Sequence, residues 1–481
     1  MKTTFRTLLV GFLLAATSIA YAQQVNTLYF LENAPMRHLI NPAFQPVSNV
    51  YVTLPVIGYS SAWVGNNAFT MKDFIFTDKN GNTITPYHPN ANPDWLAKKP
   101  KNTLIDADAY INLFGLGVRI KDNGYFHLNI SEHIIAGAAT GTNIFGINQL
   151  DSGLIGPFNL GANALVYTDF ALGYSHKIND QWTVGGKFKF LVGQAYVNAN
   201  LDNISLAHSM EELHAYGNGN IVAAAPLQWQ NLPTDVTDLG NIDTEALAGT
   251  DYRDWITPAG LGAAFDLGAT YKPHEQVQIS ASVTDLGFIR WTNLAKGNLS
   301  IDTTFTGVEL NYGDYVYEGE LNQDSLTAHL TNTLNGYADA LNISDIDNNA
   351  KPLTRMLTAN LHVGVDANFW DNRVGVGVHS RTRFYNNVVT EELTLGAAFR
   401  PFNWVNIAAS YSFINGHWSN IGAALSIAPY DGIMLTLATD YIPTTYAKLV
   451  TEEDNYSLPY KTPGTNISLG IAIVAGTSRK D

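Results

Sequence analysis

Cysteine is absent from all 481 residues of the chain. No disulfide can brace it and no thiolate can act as nucleophile or metal ligand, so stability has to come from burial and hydrogen bonding. Charge is scarce as well. Asp, Glu, Lys and Arg make up 14% of the residues, low for a water-soluble domain. The charge that is present leans acidic, with 42 Asp and Glu against 27 Lys and Arg, a net of −15. That balance argues against a nucleic-acid partner. After the N-terminal leader there is no apolar run of the roughly 20 residues that a membrane-crossing helix needs. Gly-x-Ser-x-Gly and His-Glu-x-x-His are both missing, and the scattered His, Ser and Asp residues suggest no triad. The chain reads as a non-enzyme without a cofactor.

What the sequence does contain is period-two alternation. In Val405–Phe413, Val405, Ile407, Ala409, Tyr411 and Phe413 fall on one face, and Asn406, Ala408, Ser410 and Ser412 on the other. The pattern recurs at 361–369, 374–378, 393–400 and 433–438, with short turns between. A soluble sandwich also alternates, but its outward face is charged. Here one face is bulky and apolar, and the other is Gly, Ala, Ser, Asn and Thr with a few charges. Aromatics gather near strand ends at Phe369, Trp370, Phe399, Phe402, Trp404, Phe413, Trp418, Tyr430 and Tyr441, as interfacial girdles do. The fold class is therefore all-β, a transmembrane antiparallel barrel of about fourteen strands. Its short turns are expected on the periplasmic side and its long loops outside.

Met1–Ala22 has a positive n-region, an apolar h-region and an Ala-Tyr-Ala cleavage site, so 1–22 reads as a signal peptide. Residues 23–50 lack alternation and read as a plug or hatch, with Asn33, Arg37, Asn41 and Pro42 as its marked positions; a plain periplasmic tail is the alternative. The barrel is placed at 51–475, with long extracellular insertions at 198–258 and 302–355, and a polar tail at 476–481. Within the second insertion, Leu326, Leu330, Leu334, Tyr337 and Leu341 have helical spacing. Ala136 to Ala162 reads as a loop, a short helix or a strand break. Asp285 interrupts the alternation of its strand. Asp345-Ile346-Asp347-Asn348-Asn349 alternates oxygen ligands but lacks the glycine and distal glutamate of a calcium loop, so it reads as solvated loop.

Asn41-Pro42-Ala43-Phe44, after an exported N-terminus, resembles the opening of FadL-like long-chain fatty-acid channels and of the PorV- and PorP-like barrels of type IX secretion. Leu28–Asn33 with Arg37-His38-Leu39, and Ser282–Trp291, resemble a family of uncharacterised Bacteroidetes outer-membrane barrels. The resemblance implies a barrel in the outer membrane, surrounded by its lipid and inserted by the barrel-assembly machinery. It further implies that the barrel admits a hydrophobic or amphipathic small molecule. A docking barrel that binds a surface protein partner is the competing reading. The closing strand ends Ile473-Val474-Ala475-Gly476, without the usual terminal aromatic. By parity Lys187, Lys189, Asp366, His379, Arg381, Arg383, Arg400 and Asp440 face inward. They read as a salt-bridge network bracing the plug, or as a basic constriction for an anionic headgroup.

Overall fold

The computed structural model describes residues 25–74, 76–77, 83–84, 94–149, 153–208, 213–235, 243–248, 257–305, 316–317, 320–321, 341–385, 388–414, 417–430, 432–450 and 455–476. The leader 1–22, 326–340 of the helical-spacing segment and 477–481 of the tail lie outside them.

The first strand, β1, has two segments, Val50–Thr53 and Ser60–Asn66. Then come β2 (Asn102–Ile120), β3 (Gly124–Gly141), β4 (Gly153–Lys177) and β5 (Trp182–His208). A strand of the upper wall, β6 (Leu213–Ala224), precedes the hairpin of β7 (Gly260–His274) and β8 (Val277–Trp291). Two more upper strands follow, β9 (Leu294–Phe305) and β10 (Leu341–Asp347). The remainder is a meander: β11 (Leu353–Met356 and Ala359–Phe369), β12 (Val374–Tyr385), β13 (Val388–Phe402), β14 (Val405–Ile414), β15 (His417–Tyr430), β16 (Ile433–Thr439) and β17 (Gly464–Ala475). Among the described residues, fourteen antiparallel strands close one barrel. Closure is made by β1, where Val52 pairs with Leu116 on one side and with Ile473 on the other. A closed wall leaves no unpaired edge to face lipid.

The alternation maps onto the two faces of this wall. On β12, Val376 and Val378 are 45% and 40% exposed on the outside, whereas His379 and Arg381 are buried within. Phe170, Phe188, Phe265, Val365, Leu395, Ile407 and Leu469 continue the outer apolar band. Aromatic pairs mark its short-turn edge, Trp182 on Tyr271 with ring centroids 4.5 Å apart and Phe402 on Trp404 at 5.4 Å. Such a surface is stable only against hydrocarbon. Tyr441 departs from the girdle expected of it: it is buried against Trp63, with centroids 5.0 Å apart.

Strand length is where the expected map changes most. β4 and β5 run for 25 and 27 residues. At about 3.3 Å per residue they extend well past a hydrocarbon band of about 25 Å. Residues expected as loop at 136–162 therefore belong largely to the ends of β3 and β4, joined through a short 3₁₀ segment, Thr142–Gln149. The insertion 198–258 likewise begins as wall, because upper β5 pairs with β6, β6 with β9, and β9 with β10. The break at Asp285 is a bulge. Its φ is +59°, and the pairing of β7 with β8 shifts register beside Asp266. β1 is interrupted at 54–59, where Leu54, Val56 and Ile57 point outward.

Candidate functional site

Residues 25–44 lie inside the lower barrel as two 3₁₀ turns, Asn26–Phe30 and Pro35–Leu39. We call this segment the plug. It buries Leu28, Tyr29, Phe30, Leu31, Met36 and Ile40 nearly completely. Room for its rings comes from glycines on the inner wall. A Cβ at Gly364 would run into the Tyr29 phenol, and one at Gly396 would strike the Phe30 ring. The small residues that made one face of each strand look featureless are thus the surface on which the plug packs.

Polar groups then fix the plug in register. Asp440 accepts from the backbone N–H of Asn26 at 2.7 Å and of Thr27 at 2.9 Å, and from the Thr27 hydroxyl. The Asn26 amide donates to Glu392 at 2.8 Å. Tyr29 donates to Asp366 at 2.9 Å and stacks on His379, with centroids 4.6 Å apart. His38 bonds the Tyr51 hydroxyl at 2.8 Å, and its carbonyl accepts from Lys187 Nζ at 2.6 Å. Asn41 donates to the carbonyls of Ala269 and Ala281, both at 3.2 Å, straddling β7 and β8. Its Oδ1 accepts from Ala43 N–H at 2.9 Å, the turn that Asn-Pro favours. Pro42 sits against Gly185. At the mouth, Asn33 donates to the Asn403 carbonyl at 3.4 Å, and Glu32 is held by Arg400 at 3.4 Å, Asn368 at 2.9 Å and Asn372 at 3.0 Å. Burial disfavours the Glu32 carboxylate, but the Arg400 and Arg37 guanidiniums and the two amides outweigh it, so the group titrates below its ordinary value.

Of the eight inward residues marked in the sequence, Lys187, Asp366, His379, Arg400 and Asp440 touch the plug directly. Arg381 is one step removed: it donates to Asn360 and lies 3.9 Å from Glu392, which holds Asn26. Lys189 turns away to Asp285 at 2.6 Å and Asp266 at 3.0 Å, which makes the bulge a buried ion cluster. Arg383 is half-buried, and its Nε has no partner among the described residues. Five of the eight therefore meet the plug, and we call this set of contacts the brace. No described group of three His, Cys, Asp or Glu side chains has the geometry of a metal site. Asp345 instead accepts from Asn298 at 2.7 Å, within β10.

Cavities lie toward both ends of the barrel. One of about 700 Å³ opens at the short-turn mouth between the plug and the turns of β4–β5, β7–β8 and β11–β12. The other, about 440 Å³, lies at the long-loop end beside β1 and is lined largely by Val64, Phe69, Met71, Phe74, Ile105 and Pro443. Phe69 and Phe74 belong there to an aromatic cluster with Trp95 and Phe145, and Lys99 Nζ stands 5.3 Å over the Phe69 ring.

The profile of a family of unknown function, DUF5723, matches residues 42–440. The chain belongs to the DUF5723 family. No curated protein matches it. Among solved structures, this DUF5723 barrel resembles a FadL homologue from Pseudomonas aeruginosa at 12% identity and a TM-score of 0.39, covering 95% of this chain and 100% of that one. It also resembles the toluene transporter TbuX of Ralstonia pickettii, at 10% identity and a TM-score of 0.41 over 92% and 94% of the two chains. The Pseudomonas putida toluene transporter TodX aligns at 9% identity and 0.36, over 94% of each chain.

Several residues of the DUF5723 brace escape a reading of the sequence. Asp266 faces Lys187 across the β5–β7 pair, and Glu392 faces Arg381 across β12–β13. Either carboxylate would have been found from its cation, had the strand register been known. Glu32 and His38 lie in a segment without periodicity, where no pattern says which side chains point at the wall.

Proposed function

We propose that this DUF5723 protein is an outer-membrane barrel that admits hydrophobic or amphipathic small molecules, with the plug as its closure. The apolar cavity of about 440 Å³ at the long-loop end is the observation that supports this most directly. Its lining is mostly aliphatic and aromatic, with Asn66, Thr70, Thr462 and Thr465 as polar members, as expected of a site that takes apolar ligands from outside. The plug fills the lower lumen through separable hydrogen bonds, so passage along the lumen requires the plug to shift. The signal-peptide pattern of residues 1–22 and the apolar outer band support placement in the outer membrane.

The filled lower lumen favours a second reading, a barrel that docks a surface partner and transports nothing. Extraction of the native protein in mild detergent, followed by intact mass spectrometry, separates the two. An amphiphile released on heating, and lost from the Phe69→Asp variant, is the outcome expected of the first reading. An empty barrel with a stoichiometric protein partner would replace it with the second.

A further inference from the structure

Among the described residues, five Lys and Arg side chains are buried: Arg37, Lys187, Lys189, Arg381 and Arg400. Four are satisfied. Lys187 has the His38 carbonyl, Lys189 has Asp266 and Asp285, Arg381 has Asn360, and Arg400 has Glu32 and Asn368. Arg37 is the exception. It is 7% exposed, makes no ion pair or hydrogen bond among the described residues, and its Nε is orphaned. Its guanidinium lies flat on aromatic faces, 4.1 Å from the Phe44 centroid and 5.6 Å from that of Tyr29. Stacking satisfies the face of the group and leaves Nε without an acceptor; Glu32 and Asp366 act on the charge without contacting it, so its N–H groups still lack a direct anionic partner. Arg37 lines the 700 Å³ cavity at the short-turn mouth.

We propose that this cavity is a binding site for a monocarboxylate that enters from the short-turn side, with Arg37 as its ion partner. The edge of a planar guanidinium matches a carboxylate in two parallel hydrogen bonds. Phe44 provides an apolar floor for whatever the carboxylate is attached to, and Gln45, Gln276 and Gln278 supply amide donors and acceptors around it. The single charge is specified by the rest of the lining. Glu32, Asp180, Glu275 and Asp371 share the wall, so a dianion such as phosphate meets more repulsion than a monoanion does; of the other two cations in the lining, Lys177 is paired with Asp180 at 2.7 Å and Lys272 stands at the exposed edge. The site does not depend on anything crossing the barrel.

The test uses the full mature protein in detergent and carbonyl-labelled butyrate, with butyramide as its neutral isostere. Binding is read from broadening of the carbonyl ¹³C resonance. Butyrate broadens and butyramide does not. Arg37→Gln weakens butyrate by about tenfold or more, the loss expected on removing one partner of a charged hydrogen-bonded pair. Lys296→Gln, at an exposed position of the upper wall, changes nothing. Retention of the compact band on an unheated gel checks that each variant has folded. Should Arg37→Gln fail to fold, the wild-type comparison still decides: equal broadening by butyrate and butyramide overturns the site. Octanoate and an acetylated tripeptide acid then identify the source. Tighter octanoate points to an amphiphile, and a tighter peptide points to a polypeptide C-terminus.

Discussion

The two ends of this barrel are built on opposite principles. At the short-turn end the inner wall is glycine, small polar residues and charge, and the interior is filled by a separate piece of chain. At the long-loop end the wall fills itself. Trp291 stacks on Tyr196 with centroids 5.4 Å apart, and Leu191, Val222, Ile289 and Leu294 pack around them. The lower end adds to its buried apolar side chains a set of directional bonds that can be broken one at a time, whereas the upper cluster is held mainly by burial, which is not directional.

Paired substitutions of similar severity sharpen that contrast. Lys189→Ala should cost about 3–5 kcal/mol, because it leaves Asp266 and Asp285 buried together without their cation. Trp291→Ala should cost about the same through the cavity it opens. Thermal unfolding in detergent measures both. Hydrogen exchange separates them, since Trp291→Ala should leave protection of residues 26–40 unchanged. Faster exchange there would show that the two ends are one cooperative unit and would end the comparison. Asp440→Ala acts on the plug and also takes an acceptor from Asn466 of β17, 3.0 Å away. It removes the acceptor for Asn26 and Thr27 and should cost about 2–4 kcal/mol. Its planar-bilayer conductance should rise above wild type, and an unchanged conductance would mean that the plug stays seated without its anchor. Gly396→Val drives a side chain into the Phe30 ring and should cost about 1–3 kcal/mol, with the same direction of change in conductance.

The same division explains what could be read from the sequence. The meander from β11 to β17 was legible because each strand separates lipid from plug, so its two faces differ in size and polarity at every step. Parity alone placed Asp366, His379, Arg381, Arg400 and Asp440 on the inner face. Upper β5, from Asn198 onward, was not legible, because above the membrane neither face meets lipid and polar residues fall on both. The bulge at Asp266 and Asp285 was visible only as a break, since its reason is a lysine on another strand. The contacts of the plug were hidden more deeply. A 3₁₀ turn of five residues has too short a period to show a face. Arg37 was marked, but its lack of an ion partner is a property of the assembled lumen.

The smallest effect tests whether the lower end opens in separate steps. Glu32 ties the middle of the plug to Arg400 at the mouth, far from Asp440. Its carboxyl titrates below the ordinary range, so the contact is fully present above the ordinary carboxylate pKa and is lost as pH falls through the depressed value. The group is partly exposed, so the contribution should be about 1 kcal/mol or less. Glu32→Gln at neutral pH should then mimic acidification. Amide exchange should quicken over residues 31–37 and stay slow over 26–30, where Asp440 still holds. Uniform quickening across both turns would mean that the plug leaves as a single body, and that its anchors act together.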